Sequence, residues 1–233
     1  MSFISLNFVL LFACAFILYH VLPHRYKKAV LLAASFVFIG FYHIAFLAIA
    51  LFISLATFYL GRWMEQAKQE KTIQRIYVSG VCFLITSWLA SRYADLLIDA
   101  HFLFPLGISF YTFQAISYLT EIYWQEEKPE KNLTDFLVYM LFFMKFLSGP
   151  IERAADMLPQ LKSDKAVRYS SMTYGMKLMV VGLVKKLLLA DYIGSYIDGI
   201  FNSVHTASGV QLLMAGLLYP IELYADFSGY TDM

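Results

Sequence analysis

Two short stretches in an otherwise apolar chain carry residue types that could do chemistry. One is Leu147-Ser-Gly-Pro-Ile-Glu-Arg153, where a Gly149-Pro150 break sits beside Glu152 and Arg153. The other is Ile221-Glu-Leu-Tyr-Ala-Asp-Phe-Ser-Gly-Tyr230, where Glu222 and Asp226 follow directly on an apolar run over 210–220. Carboxylates beside an apolar run are costly in a bilayer, and by default they mark a path for protons, ions or substrate. A second reading stays open: both carboxylates sit at the membrane interface and pair with Arg153 or a lysine. Other catalytic constellations are missing. There is no Gly-x-Ser-x-Gly elbow, no phosphate-binding Gly-rich loop and no His-Glu-x-x-His pair. The five histidines, His20, His24, His43, His101 and His205, are scattered. A general base must come within hydrogen-bond reach of its proton, and nothing in the sequence nominates one. No catalytic residue and no metal ligand is assigned.

These stretches must be positioned by membrane helices. Thirty-three residues, 29–61, pass without a Lys, Arg, Asp or Glu. Arg25, Lys27 and Lys28 precede the run, and Arg62, Lys68, Lys71 and Arg75 follow it. One span needs roughly 20 apolar residues, so this run suits a tight hairpin with Phe41-Tyr-His43 at its outer turn. Basic flanks on both sides are cytoplasmic, which an even number of crossings satisfies. Residues 3–22 form an uncharged run whose positive charges follow it. That order predicts a retained helix with its N-terminus outside, not a cleaved signal. Composition agrees, with 60% hydrophobic and only 15% charged residues, against about 25% charged in a soluble domain. A net charge of +1 gives no field to draw in nucleic acid. Cys14 and Cys82 lie in apolar runs without a metal-site spacing, and they read as small buried hydrophobes.

Further along, 76–91 reads as a short span, and 102–120 is an uncharged segment carrying Pro105, Gly107, Ser109, Thr112 and Gln114. Freed backbone groups and polar side chains predict that this second segment faces protein or a channel, not lipid. The charged stretch 121–135 reads as a solvated loop. The apolar stretch 136–147 is too short to cross, and the Gly-Pro break ends it. With both flanks on the cytoplasmic side, it is expected to be re-entrant. A helix over 169–190, an irregular connector over 191–208 and an apolar helix over 210–220 complete the reading. The fold class is all-α: a polytopic transmembrane helix bundle with broken or re-entrant segments, in one integral membrane domain over 1–233.

Five pieces in order resemble the N-terminal half of the membrane-bound O-acyltransferase family. They are Leu22-Pro-His-Arg-Tyr-Lys-Lys28 and Pro105-Leu-Gly-Ile-Ser-Phe-Tyr-Thr-Phe-Gln114, then Leu147-Ser-Gly-Pro-Ile-Glu-Arg153 with Leu158-Pro-Gln-Leu161. Gly182-Leu-Val-Lys-Lys186 and Asp226-Phe-Ser-Gly-Tyr-Thr-Asp-Met233 follow. Leu158-Pro-Gln-Leu161 and the Asp226 motif resemble the alginate O-acetyltransferase branch more than the teichoic acid D-alanylation branch. The resemblance implies transfer of an acyl group, in the first instance acetyl, to hydroxyls of an extracytoplasmic polysaccharide. It implies a thioester donor such as acyl-CoA or an acyl carrier, no cofactor, and an extracytoplasmic acyl-transfer partner protein. The expected setting is the bilayer of the inner (plasma) membrane, multi-pass.

It further implies that Gly149 and Pro150 form the re-entrant turn, with Glu152 and Arg153 beside it. Asp226, Ser228, Gly229 and Tyr230 would line the approach to the family's histidine region. None of the five histidines occupies that region, and none has an Asp five residues on. The chain is therefore expected to be an N-terminal fragment that does not turn over alone. The alternative is a non-enzymatic transporter or scaffold subunit of envelope polysaccharide assembly, since broken helices with intramembrane carboxylates also occur in transporters.

Overall fold

The computed structural model describes residues 5–98, 107–146, 149, 151–163 and 168–233. Every regular element among the described residues is helical. The chain divides into two compact units, Met1–Asp164 and Lys165–Met233.

In the first unit, Ser5 opens helix α1 (Leu6–Val21), its hydroxyl accepting from the Phe8 N–H at 3.3 Å. Helix α2 (His24–Tyr42) begins just after Pro23 and stops at His43. His43 takes an extended backbone and caps α3 (Ile44–Gln66), its Nδ1 accepting from the Ala45 N–H at 3.2 Å. The uncharged run is therefore a helical hairpin that breaks where the sequence predicts. Helix α4 (Glu70–Ile98) is longer than the expected span over 76–91, because helix continues through its charged flanks. Two segments, α3 and the 70–93 part of α4, are long and apolar enough to cross a bilayer.

Helix α5 (Ile108–Tyr123) starts at Gly107, whose φ of 71° is left-handed. A Cβ there would lie 2.2 Å from the Phe146 carbonyl oxygen, so glycine is needed for both conformation and space. Residues 99–106, including Pro105, lie outside the described residues. As expected, α5 faces protein: it packs on α3, α4 and α6. Two of its polar side chains find partners there, with Gln114 Nε2 donating to the Tyr139 carbonyl at 2.8 Å and Trp88 Nε1 donating to Ser109 Oγ at 3.0 Å. The buried Tyr111 and Thr112 hydroxyls, by contrast, have no hydrogen-bond partner among the described residues.

Asn132 caps α6 (Leu133–Leu141), and α7 (Ala154–Lys162) packs on it. The helix in the 136–147 stretch is thus shifted and shortened, because Asn132 supplies the cap upstream and the chain leaves helical geometry at Phe142. The unit's core is aromatic. Phe136 lies 4.8 Å from Tyr118 and 5.4 Å from Phe58, centroid to centroid, and is fully buried. Truncating it to alanine would cost about 3–5 kcal/mol. Ser54 and Thr57 are buried on α3 without penalty, because each hydroxyl donates to the carbonyl four residues back, at 2.7 and 2.8 Å.

In the second unit, α8 (Tyr169–Val184) runs into a π-helical turn (Lys185–Ala190) and on into α9 (Asp191–Asn202). The connector expected over 191–208 is helical through Asn202; Gly194 and Gly199 lower helix propensity but do not override the packing of Ile197 and Ile200 on Ala215. A reciprocal Ser208–Gln211 capping box opens α10 (Gly209–Asp232), which continues through Pro220 past the expected end. Large apolar side chains, among them Leu213, Leu217, Tyr224 and Phe227, stand exposed on α10. Cys14 and Cys82 are exposed as well, correcting the expectation of burial. An unbroken apolar run carries no information about which face turns inward.

Candidate functional site

The first unit gathers the residues around the Gly-Pro turn. At about 14 Å, nine-residue α6 cannot cross a 30 Å hydrocarbon core. Its start is held by Asp135, almost fully buried, with Lys28 Nζ astride the carboxylate at 2.6 and 2.8 Å. Its end is held by side chains: the Phe143 N–H donates to Ser35 Oγ at 3.1 Å, and the Tyr139 hydroxyl donates to the Glu152 carbonyl at 3.0 Å.

Gly149 is buried and donates its N–H to the Lys145 carbonyl at 3.0 Å. A Cβ on Gly149 would fall 2.5 Å from both Cα and Cβ of Lys145, so only glycine passes here. Pro150 lies outside the described residues. Glu152 is half-exposed and approaches Lys145 Nζ at 3.5 Å. Arg153 is exposed, and its backbone begins α7.

Lys145 joins this site although no motif marks it; its one signal in the sequence is a lone lysine inside an apolar run. It is buried, with Nζ 3.1 Å from Met157 Sδ and 4.6 Å from the centre of the Tyr139 ring. The ring face and the thioether offset part of the cost of removing the ammonium from water.

The 121–135 stretch is not a uniformly solvated loop. Glu126, Glu127 and Lys128 are exposed as expected, but Glu121, Glu130 and Asp135 are buried. Glu130 accepts from Lys162 Nζ at 2.5 Å and from the Lys131 and Asn132 N–H groups at 2.9 Å each. Burial alone would raise its carboxyl pKa, but the Lys162 contact and the two backbone donors together hold it below the usual glutamate value. A cavity of about 660 Å³ opens beside it, with Lys128, Lys131 and Lys162 in its lining.

The second unit gathers the residues of the Asp226 motif. Lys185 Nζ donates to Ser228 Oγ at 2.8 Å and to Asp232 Oδ2 at 2.5 Å. Lys186 Nζ donates to Asp226 Oδ1 and lies 3.0 Å from Asp191 Oδ1. Asp226 is thus paired with a lysine, as the interface reading expects, and a carboxylate lining a polar path would need such a partner equally. Neighbouring lysines reach different carboxylates from the wide π turn, a geometry frequent at functional sites. Gly182 and Gly229 set the approach of α8 and α10: a Cβ on Gly182 would lie 2.6 Å from the Gly229 carbonyl oxygen, and one on Gly229 would lie 2.9 Å from that of Gly182. Tyr230 is half-buried on α10, and Glu222 turns toward Gly194 of α9.

Among the described residues the elements are all helical, two of them are long and apolar enough to cross a bilayer, and carboxylates of both units are paired with lysines. No protein-family model matches the chain. Relatives do match. The chain is 32% identical over 236 residues to a probable alginate O-acetylase of Pseudomonas fluorescens, an alignment covering all of this chain and 47% of that protein. It is 27% identical to the peptidoglycan O-acetyltransferase of Helicobacter pylori, over 89% of this chain and 47% of the other. It is 30% identical to the teichoic acid D-alanyltransferase of Streptococcus thermophilus, over 54% of this chain and 32% of the other. The chain spans about half the length, or less, of these curated relatives. It belongs to the membrane-bound O-acyltransferase family, as its ordered motifs imply. All three relatives are named as acyl-transferring proteins.

Proposed function

We propose that this chain forms the N-terminal portion of a multi-pass O-acyltransferase of the inner (plasma) membrane. It moves an acyl group, in the first instance acetyl, from a thioester donor to hydroxyls of an extracytoplasmic polysaccharide. The observation that carries this reading is the alignment of its whole length with an alginate O-acetylase. The 1–233 stretch acts as one integral membrane domain. Its N-terminus lies outside, and the basic segments 25–28 and 62–75 lie in the cytoplasm.

In the transfer, the acceptor oxygen attacks the thioester carbonyl, a C–O bond forms, the C–S bond breaks, and the hydroxyl proton passes to a general base and on to the thiolate. The residues described above are assigned no part in that proton transfer. Gly149 and Pro150 turn the re-entrant segment, with Glu152 and Arg153 at its mouth. Asp226, Ser228, Gly229 and Tyr230 line the approach to the reacting groups. A dry cavity would limit loss of the acyl group to water. The donor is an acyl-CoA or an acyl carrier, and an extracytoplasmic acyl-transfer protein is the partner.

The test is Asp226→Asn in a full-length relative. Membrane insertion should be retained while O-acylation of the glycan falls, because Lys186 loses a charged partner within the path. Unchanged acylation would remove Asp226 from that path.

A further inference from the structure

Helices α1 and α2 enclose an apolar groove of about 500 Å³ that the acyl-transfer reading does not use. Leu11, Cys14 and Leu18 of α1 and Ala29, Ala33 and Val37 of α2 form its walls. Along α2 the groove runs from Tyr26 to Val37, about 16 Å at 1.5 Å per residue. One end differs from the rest. At the α1–α2 joint stand His24, Arg25, Lys27 and Lys28, with Tyr26 lining the groove mouth.

Arg25 is exposed, stacks on the Tyr26 ring at 4.4 Å and donates to the Tyr26 hydroxyl. Lys27 lies over the Tyr19 ring at 5.4 Å. Lys28 is committed to Asp135. The guanidinium is thus held at the mouth by a neutral aromatic ring.

We propose that this groove is a binding site for an anionic glycerophospholipid. One acyl chain lies between α1 and α2, and the phosphate sits on Arg25. The charge pattern selects this occupant. A cationic rim at one end of a wholly apolar slot complements an amphiphile with a negative head and an aliphatic tail. A packed polypeptide helix would need the slot but not the rim. Aromatic side chains at the same level, Tyr19 and Tyr26, fit the headgroup boundary, and basic residues at a helix end attract anionic lipid there. The inference rests on membrane insertion and is independent of acyl transfer.

The experiment is native mass spectrometry of the purified chain in detergent, titrated with phosphatidylglycerol or phosphatidylcholine of identical acyl chains. The expected result is phosphatidylglycerol binding roughly five-fold tighter, the effect of one basic residue acting on an anionic lipid. Arg25→Gln should abolish that preference and Arg25→Lys should restore most of it, with helical content unchanged in both. Ala33→Phe should lower retention of both lipids by filling the groove. Should that variant misfold, the two Arg25 variants still decide the matter. Equal retention of the two lipids by the unmodified chain, or a preference that survives Arg25→Gln, overturns the proposal. So does retention by this chain but not by a full-length relative, which would show that further polypeptide fills the slot. Recovery of the chain in the membrane fraction is scored separately, so a failure of insertion is distinguished from a failure of lipid binding.

Discussion

Four glycines on two helices offer a controlled test of the second unit. Gly182 on α8 and Gly229 on α10 face each other's backbone, whereas Gly175 on α8 and Gly216 on α10 have open space where a Cβ would go. At Gly182 the added carbon would sit 2.6 Å from the Gly229 carbonyl oxygen, well inside the 3.4 Å where ordinary contact begins. The obstructing atom is backbone and cannot rotate away, so the helices must part by roughly 0.8 Å. Overpacking of this kind costs about 1–3 kcal/mol. The helix-propensity gain of alanine over glycine offsets up to ~1 kcal/mol of that. Parting the helices also stretches the Lys185–Asp232 and Lys185–Ser228 contacts, which are short at 2.5 and 2.8 Å. Gly182→Ala is therefore expected to destabilise by about 1–2 kcal/mol and Gly229→Ala by somewhat less, its nearest approach being 2.9 Å. Gly175→Ala and Gly216→Ala should instead stabilise by about 0.4–1 kcal/mol. The assay is denaturant titration of the helical signal in detergent, run identically on all four variants. If Gly182→Ala and Gly175→Ala shift the midpoint alike, the close approach of α8 and α10 is refuted.

Two further predictions concern the first unit. In a background lacking Cys14 and Cys82, cysteines at Tyr26, Lys68, Asn132 and Gln160 should all be shielded from a membrane-impermeant thiol reagent in intact cells, and one at Tyr42 should be reached. Opposite accessibility at Asn132 and Gln160 would mean that the segment between them crosses the membrane. The second prediction concerns acid. Glu130 has its folded pKa below the ordinary value of about 4.3, so its contribution is full above that value and fades as pH falls through the folded pKa. Glu130→Gln should lower stability at neutral pH and flatten the acid limb of the unfolding curve; an unaltered acid limb would mean that the Lys162 contact does not carry the effect.

Much of the helical layout was legible because it depends on local quantities. A charge-free run of hairpin length, basic residues on both flanks and a histidine at the midpoint specify α2, the break at His43 and α3. The shortness of the helix before Gly149 was legible too, since 1.5 Å per residue sets its reach at less than the thickness of a hydrocarbon core. Glycine at 107, 149, 182 and 229 could be seen but not explained, because the atoms each would strike belong to other turns or other helices. Lys28 meets Asp135 across 107 positions of sequence, and Lys186 meets Asp226 across 40. A charge in a sequence states only that a partner or water is needed; which one it finds is decided when helices pack. For the same reason, Glu130 and Asp135 sit in a charged stretch that reads as wet, yet the fold buries them against Lys162 and Lys28. Hydrophobic runs determine that helices form and where they end. Tertiary packing alone determines which face of each turns inward, because an unbroken apolar run looks the same from every side.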